Sequence, residues 1–345
     1  MIKKNIFPLE WKLTDDLIVP YHGSKVFGAF VCGGGSSMGY KLAGYEHLGG
    51  VEFTEHYSKC YKENHKPKHF YLEDIREFNK RTDLPKELYD LDLLDGSPPC
   101  AAFSTVGARE KIWNRESSYE GKKQRKDDLV FIYCDTIEKL MPKVALLENV
   151  SGLIKGNAKA YTKKIFKRLD EIGYRVQLFA LNAASMGIPQ IRSRVFFIAL
   201  RKDIELPKLK LGFNCPLVGF EVTQKYWNDI SNKDFCIEKF AIGKLWNDVE
   251  IGGAHIKRFS LKKPHPKKPC FTICESDSGL STAGITHPFQ KRKLNKKEVT
   301  LLSTYPTDYN FLDVNAISVM GRSVLPVMMA NISHQIHEQW LKKIK

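Results

Sequence analysis

The sequence predicts an α/β protein with a mostly parallel, doubly wound sheet and a second, smaller domain of irregular structure. Three observations support this prediction. Short apolar runs alternate with helix-like stretches from residue 25 to about residue 200, the triplet Gly33-Gly34-Gly35 follows the first apolar run, and the alternation ends near residue 202. Alternating strands and helices are typical of a parallel sheet that carries helices on both faces.

The predicted elements follow one another in a regular order. Strands are predicted at 25–31, 51–53, 91–94, 144–147, 174–180 and 195–200. Helices are predicted, from the spacing of apolar residues and from Gly173 as a helix stop, at 40–47, 57–64, 127–141, 160–172, 295–303 and 322–345. We expect a catalytic domain at 1–202 plus 286–345, and a second domain at 203–285.

The composition is that of an ordinary globular chain. Hydrophobic residues make up 43% and charged residues 27% of the 345 positions, and no apolar stretch reaches the length of a membrane span. The first residues lack the apolar centre of a secretory signal. The 8 cysteines form no Cys-x-x-Cys pair, so we expect reduced thiols in a cytoplasmic protein that contacts no membrane.

The formal net charge of +15 indicates a polyanionic partner, and nucleic acid is the common one. Lysine and arginine concentrate in two segments, 108–126 and 255–297. The alternative is a solvated basic surface without a specific partner.

The segment 96–104, Gly-Ser-Pro-Pro-Cys-Ala-Ala-Phe-Ser, presents a candidate nucleophile. It follows an apolar run that ends at Asp95, and Pro98 and Pro99 neither extend a helix nor donate to a sheet. Cys100 is therefore expected on a stiff loop beyond a strand, where open α/β sheets bind ligands. The alternative is a buried cysteine with a packing role.

Charged residues follow other predicted strands. Glu52 stands where an acid can accept hydrogen bonds from a ribose, and Glu148 can reach the same cleft as Cys100 and donate a proton. Arg192 and Arg194 share one face of an extended segment and suit an anionic or carbonyl-bearing substrate. Taken singly, Glu52 is equally compatible with an ordinary surface glutamate, and each arginine is equally compatible with a surface salt bridge.

Together and in this order, these segments resemble the motifs of cytosine-C5 methyltransferases over nearly the whole chain. The matching segments are 30–39, Glu52, Asp74-Ile75, 98–104, Glu148-Asn149-Val150, Gln190-x-Arg192-x-Arg194, 292–306 and 321–326. Three positions depart from the pattern of that family: Cys32 replaces a glycine, Ala101 a glutamine and Arg322 an asparagine.

The resemblance implies a Rossmann-like sheet that binds S-adenosyl-L-methionine, and a target-recognition domain at 203–285. It implies cofactor-binding roles for Phe30, Gly33, Gly34, Gly35, Glu52, Phe53, Asp74, Ile75, Pro99, Leu129, Ser323 and Val324. It implies catalytic roles for Cys100, Glu148, Arg192 and Arg194, without a metal. The expected substrate is double-stranded DNA, bound by a monomer, in a bacterial or phage setting that can include a cognate restriction endonuclease.

The resemblance also implies a mechanism. The target cytosine leaves the duplex, Cys100 attacks its C6 atom as a thiolate, and Glu148 hydrogen-bonds N3 and the exocyclic amine. Arg192 and Arg194 favour the thiolate, and the basic loop 105–126 closes over the base. Candidates for reading base edges are Lys244, Lys257, Arg258 and Lys262.

Three alternatives stay open at this point. Cys270-Phe271-Thr272 matches a tripeptide of the tRNA-modifying branch of the family, although Phe103-Ser104 favours DNA. A non-catalytic DNA-binding protein would have no need of the nucleophile and its partners. A zinc site built from His265, Cys270, Cys274 and His287 would have a spacing that fits no standard ligand pattern well.

Overall fold

The computed structural model describes residues 1–15, 18–99, 128–156, 158–229, 236–257, 261–275 and 284–344, and the backbone of 117–119 and 122–124. The strands in this part of the chain are β1 (Lys25–Ala29), β2 (Glu46–Glu52), β3 (His69–Leu72), β4 (Leu93–Gly96), β5 (Ser117–Tyr119), β6 (Lys122–Gln124), β7 (Val144–Val150), β8 (Tyr174–Asn182) and β9 (Ser193–Arg201). The helices are α1 (Gly35–Leu42), α2 (Glu55–His65), α3 (Ile75–Lys80), α4 (Leu129–Leu140), α5 (Ala158–Ile172), α6 (Ala241–Lys244), α7 (Lys296–Leu302), α8 (Ala316–Arg322) and α9 (Pro326–Gln339).

Seven of these strands form one sheet in the order β3-β2-β1-β4-β7-β9-β8, and β5 pairs with β6 apart from it. The pairs from β3 through to β7 are parallel, whereas β9 runs antiparallel to both β7 and β8. The short connection 183–192 between β8 and β9 holds no crossover helix, so it can join only antiparallel strands. The doubly wound, mostly parallel architecture predicted from the sequence is confirmed.

Strand β1 lies at the point where the chain changes direction across the sheet. From β1 the chain adds β2 and β3 on one side, and it then returns to place β4 on the other side. Such a switch point leaves a crevice at the carboxyl ends of the strands, where open α/β sheets bind ligands. Asp95 pairs with Gly28 on one side and with Leu146 on the other, so the ends of β1, β4 and β7 are neighbours.

Side chains of the central strands alternate between two apolar cores. Leu93 and Leu146 belong to the core that also contains residues of α1 and α9. Leu94 and Leu147 belong to a second core, with residues of α3, α4 and α5. Because both faces of the sheet are covered, these strands consist of nearly continuous apolar residues. Such runs are the reason why the strands could be predicted from the sequence.

Two helix predictions were wrong at their boundaries. The helix predicted at 40–47 begins at Gly35 and ends at Leu42, and β2 starts soon after it. Packing of α1 against α9 outweighs the low helix propensity of the glycines, and Gly44, at φ +85°, turns the chain toward β2. The helix predicted from residue 322 begins instead at Pro326, because a residue that precedes proline favours an extended backbone.

The residues between β9 and residue 285 contain little regular structure. Among those described, α6 has four residues, and the 3₁₀ turns Phe220–Tyr226 and Trp246–Asp248 are short. Phe220 and Ile273 nevertheless pack into the core beneath α1 and α9. The assignment of 203–285 to a separate target-recognition domain stays a prediction.

One described stretch, Ala316–Lys343, has the length and hydropathy of a membrane span. It includes α8 and α9, and 83% of its most apolar window is buried inside the protein. Its apolar side chains therefore serve the packing of α9 against α1 and the sheet.

Candidate active site

The loop between β1 and α1 is shaped by left-handed backbone and by close packing. Cys32 and Gly34 have φ angles of +46° and +75°, so Cys32 keeps a conformation that favours glycine, the family's residue there. A Cβ atom at Gly34 would lie 2.0 Å from Nε2 of His65. A Cβ atom at Gly35 would lie 2.4 Å from the carbonyl oxygen of Val324. Close contacts within the chain are therefore sufficient to require glycine at positions 34 and 35.

Glu52, the last residue of β2, holds this loop through hydrogen bonds. Its carboxylate accepts hydrogen bonds from the backbone N–H groups of Cys32 at 2.8 Å, Phe53 at 3.0 Å and Thr54 at 2.8 Å. Burial raises the pKa of Glu52, and the N–H donors oppose that rise. The Thr54 side chain is a fourth hydrogen-bond partner, so these contacts match the roughly four acceptor positions of a carboxylate and fix Glu52 in place.

The starts of α3 and α4 meet next to this loop. Asp74 caps α3 by accepting from the N–H of Arg76 at 2.8 Å, and Arg76 also contacts Asp128 at 2.8 Å, directly before α4. Ile75 and Leu129, the first residues of the two helices, are buried. The predicted cofactor residues of this region therefore surround a shared junction of helix N-termini.

On the other side of the glycine loop lies the turn between α8 and α9. The Ser323 hydroxyl donates to the carbonyl of Val319 at 2.7 Å and lies 2.5 Å from the Tyr305 hydroxyl. Val324 is buried beside it. Arg322, the third departure from the family pattern, forms an ion pair with Glu275 and lies over the ring of Tyr57.

Glu148 and Arg194 form an ion pair at the carboxyl end of β7. Arg194 Nε lies 2.9 Å from Glu148 Oε1, and the two side chains are 16% and 10% exposed. The pair is possible because β9 runs antiparallel to β7, which places Arg194 opposite Val150, two residues beyond Glu148 on the same strand face. The pair thus joins the carboxyl end of β7 to the start of β9.

Arg192 has a different environment from Arg194. It is fully buried, and its guanidinium donates to the carbonyls of Ile273 at 2.9 Å, Gly321 at 3.0 Å and Ser323 at 2.7 Å. Burial lowers the pKa of Arg192 to about 9, and the nearby Arg194 charge adds to that effect. Arg192 therefore joins the backbone at Ile273, within the predicted recognition region, to the end of α8, a role that spacing alone did not reveal.

The predicted nucleophile, Cys100, lies outside the described residues, as do Ala101 and the side chains of the loop 105–126. The residues directly before it, up to Pro99, are described. Asn149 donates from Nδ2 to the carbonyl of Pro98 at 3.4 Å, and Pro99 is exposed. The motif Glu148-Asn149 is thus tied to the segment that runs into Cys100.

Asp95 is a buried acid whose role the sequence analysis missed. It is 5% exposed, and its carboxylate accepts a hydrogen bond from the Tyr40 hydroxyl at 3.2 Å. An acid in an otherwise apolar strand was the visible signal, but its partner lies 55 residues earlier in the chain.

Within the described ranges, no three histidine, cysteine, aspartate or glutamate side chains are grouped as a metal site. Two members of the zinc alternative have other partners. The side chain of Cys270 packs in the apolar core that contains residues of α1 and α9, and Nδ1 of His287 accepts hydrogen bonds from the backbone N–H groups of Phe289 and Gln290.

Comparison with known proteins identifies the family. Residues 27–247 match the model of the C-5 cytosine-specific DNA methylases. The Type II methyltransferase M.AplI of Arthrospira platensis is 31% identical over 90% of this chain and 85% of its own length. M.DdeI of Desulfomicrobium norvegicum, also a Type II methyltransferase, is 25% identical over 83% of this chain and 80% of its own.

A solved structure shares the fold. A protein encoded within an E. coli prophage superposes with a TM-score of 0.69 at 19% identity, covering 92% of this chain and 99% of that one. The sequence match and the sheet order therefore agree. This chain belongs to the C-5 cytosine-specific DNA methylase family and is a DNA cytosine methyltransferase.

Proposed function

We propose that this enzyme transfers a methyl group from S-adenosyl-L-methionine to C5 of a cytosine that has left duplex DNA, through a covalent bond between Cys100 and C6. The observation that carries the proposal is the Glu148–Arg194 pair. This pair lies at the carboxyl ends of the strands, where the chain leaves β4 toward Cys100. Asn149, the neighbour of Glu148, donates a hydrogen bond to the carbonyl of Pro98. An acid, its cationic partner and a thiol nucleophile are the groups that this reaction needs.

The residues near the glycine loop fit the cofactor. The α1 N-terminus follows the loop, Glu52 lies at the end of β2 next to it, and the α3 start with Asp74 and Ile75 lies beside it. Phe30, with its ring 6.4 Å from that of Tyr133, offers an apolar wall. Bound S-adenosyl-L-methionine would supply the methyl group that C5 accepts.

The remaining steps belong to side chains of this enzyme. The Cys100 thiolate forms a bond to C6, and Glu148 presents a proton to N3, so that charge developing on the ring is stabilised. After C5 has accepted the methyl group, water takes the C5 proton, the Cys100–C6 bond breaks to restore the thiolate, and N3 returns its proton to Glu148. Arg194 orients Glu148, and Arg192 holds the backbone at Ile273.

The proposal extends to the biological setting. The enzyme acts in the cytoplasm as a monomer on DNA, with 203–285 as its target-recognition domain, and a cognate restriction endonuclease can accompany it. The charge of +15 favours phosphate contacts. The candidates for contacts to bases are Lys244, Lys257, Lys262 and Arg258, of which Arg258 lies outside the described residues.

Bisulfite sequencing of DNA from cells that express the chain tests the activity and reveals the target sequence together. The expected result is complete methylation at one short sequence. Purified enzyme with a labelled methyl donor should modify duplex DNA and leave total tRNA unlabelled; the reverse result would support the tRNA alternative.

Cys100→Ser tests the covalent step. We expect loss of methyl transfer with retained cofactor binding, because the thiolate is the attacking group. Cys236→Ser, which removes an exposed cysteine, is the matched control and should keep wild-type turnover. Undiminished methylation by Cys100→Ser would contradict the proposed mechanism.

A further inference from the structure

The segment 303–311, named here the tyrosine segment, follows α7 and contains two buried tyrosines that the proposed mechanism does not use. Tyr305 is completely buried, and Tyr309 is 4% exposed. The segment overlaps the end of 292–306, a stretch that resembles a family motif but supplies no group to the proposed reaction. Both tyrosine rings pack against Phe311, with centroids 5.9 and 4.7 Å from its centroid. The three rings form one aromatic cluster, from which the two hydroxyls reach different partners.

The Tyr309 hydroxyl holds one peptide group of the glycine loop. It donates to the carbonyl of Gly33 at 2.5 Å. The N–H group of the same peptide, which belongs to Gly34, donates to the carbonyl of Val31 at 2.7 Å. Cys60 Sγ, in α2, lies 3.4 Å from the Tyr309 hydroxyl. Tyr309 therefore fixes the orientation of the peptide that leads into the left-handed Gly34, and it ties this peptide to α2.

The Tyr305 hydroxyl holds the turn on the other side of the glycine loop. Because the Ser323 hydroxyl donates to the carbonyl of Val319, the proton in the 2.5 Å contact between Tyr305 and Ser323 comes from Tyr305. The turn lies directly against the loop, since a Cβ atom at Gly35 would lie 2.6 Å from that of Ser323. The tyrosine segment thus contacts both walls of the predicted cofactor site.

The tyrosine segment is itself fixed by distant parts of the chain. Trp11 Nε1 donates to the carbonyl of Thr304 at 3.0 Å, and the N–H group of Thr307 donates to the carbonyl of Trp11 at 2.8 Å. Directly before the segment, the buried Gln190 donates from Nε2 to the carbonyl of Leu302 at 3.0 Å. Burial raises the pKa of both tyrosines, so each hydroxyl keeps the proton that it donates. The segment can therefore support the two walls.

Resting on the proposed function, we propose that Tyr309 and Tyr305 are positioning residues for the methyl donor. Tyr309 keeps the peptide between Gly33 and Gly34, and Tyr305 keeps Ser323, in the arrangement that binds S-adenosyl-L-methionine. A loop that is ordered before binding loses less conformational entropy when its ligand binds. The two hydroxyls therefore act on the affinity for the cofactor, and the steps on the cytosine ring do not depend on them.

Tyr309→Phe tests the inference, because it removes the hydroxyl and keeps the ring. We expect the Kd for S-adenosyl-L-homocysteine, the demethylated cofactor, to rise about tenfold in calorimetric titration. The KM for S-adenosyl-L-methionine should rise by a similar factor. At saturating cofactor, kcat on duplex DNA and the KM for DNA should stay within about twofold of wild type.

Tyr45→Phe is the matched control. Tyr45 is 3% exposed, and its hydroxyl donates to the carbonyl of Ser333 at 2.8 Å, next to the amino end of β2 and away from the glycine loop. Both variants remove a buried hydroxyl from a backbone carbonyl, so both should lower the Tm by a similar amount. Only Tyr309→Phe should weaken cofactor binding. Equal Kd values in Tyr309→Phe and wild type, or equal weakening in both variants, would overturn the inference.

Tyr305→Phe is the second variant. It leaves no backbone carbonyl without its donor, because Ser323 keeps its bond to Val319. This variant should therefore fold even where Tyr309→Phe does not, and its Kd for S-adenosyl-L-homocysteine should rise about threefold. Unchanged affinity would overturn the role of Tyr305, and it would overturn the whole inference if Tyr309→Phe does not fold.

The same titrations separate this inference from the proposed function. A wild-type protein that binds no S-adenosyl-L-homocysteine would contradict the proposed cofactor. Wild-type protein that binds it, with an equal Kd in Tyr309→Phe, would overturn only the inference about the tyrosines. A kcat that falls tenfold or more in Tyr309→Phe at saturating cofactor would place the hydroxyl in the reaction itself, which also contradicts a positioning role.

Discussion

Two of the acid–arginine pairs in the described part of the chain are built differently. Glu298 and Arg292 meet through two hydrogen bonds of 2.9 and 2.7 Å, and Glu298 is completely buried. Arg292 also donates to the carbonyls of Lys293 and Trp227, and Glu298 completes the capping box of α7. Glu148 and Arg194 share one contact of 2.9 Å, and both side chains keep some exposure.

This difference separates a pair that stabilises the fold from a pair that can work on a substrate. A buried ion pair is stable only when its other donors and acceptors are also satisfied, as they are around Arg292. A pair with one contact and partial exposure keeps donor and acceptor positions that a base can use. Both acids lie in segments that resemble family motifs, so only their surroundings distinguish their roles.

The largest effect is expected on activity, from Glu148→Gln. The amide cannot present an acidic proton to N3, so kcat should fall by about 10²- to 10⁴-fold. Methyl incorporation into duplex DNA measures this loss. Because Arg194 is 16% exposed and glutamine keeps an acceptor oxygen for it, the free energy of unfolding in urea should fall less than it does when the Glu298–Arg292 pair is broken.

A Glu148→Gln enzyme whose kcat stays within tenfold of wild type would remove Glu148 from the chemistry. Calorimetric titration with the cofactor is the control measurement. Unchanged cofactor affinity shows that the loss of rate comes from the reaction and not from a disturbed site.

The next largest effect is expected on stability, from Glu298→Gln. This substitution leaves the buried Arg292 without its counter-charge, so the free energy of unfolding should fall by about 3–5 kcal/mol. Urea denaturation measures the loss, and turnover per folded molecule should stay at the wild-type value. A fall no larger than that of Glu148→Gln would mean that the two pairs are energetically alike.

Much of the sheet could be predicted because its strands are buried on both faces and therefore carry nearly continuous apolar runs. Glu52 and Glu148 could be placed for a related reason: each is the first charge after such a run, and the ends of parallel strands meet at one edge. The start of α1 could not be placed, because Gly34 and Gly35 oppose a helix locally and only packing against α9 overrules them.

The roles of the two arginines could not be separated from the sequence. A spacing of two residues predicts a shared face, and it does not show what lies opposite that face. The carbonyls that hold Arg192 belong to residues 81 to 131 positions later in the chain. The hydrogen bond between Tyr40 and Asp95 could not be predicted for the same reason. Residues so far apart in the sequence are brought together only by tertiary packing.

The smallest effect is expected from His287, which lies beside the structural pair and should make the fold sensitive to acid. Its ring is completely buried among Phe220, Trp227 and Phe289, and Nδ1 accepts from the backbone N–H groups of Phe289 and Gln290. Burial, together with the charge of Arg292, lowers the pKa of His287 to about 3.

Because this folded-state pKa lies below the unfolded value of about 6.5, the stability tied to neutral His287 is complete above pH 6.5 and is lost as pH falls toward 3. The loss is about 1.4 kcal/mol per pH unit, or about 2 kcal/mol at pH 5. His287→Asn keeps an acceptor near the position of Nδ1 and removes the titration. Urea denaturation at pH 7.5, 6 and 5 should therefore show a shallower decline in the variant, and an equal decline would mean that protonated His287 is tolerated next to Glu298.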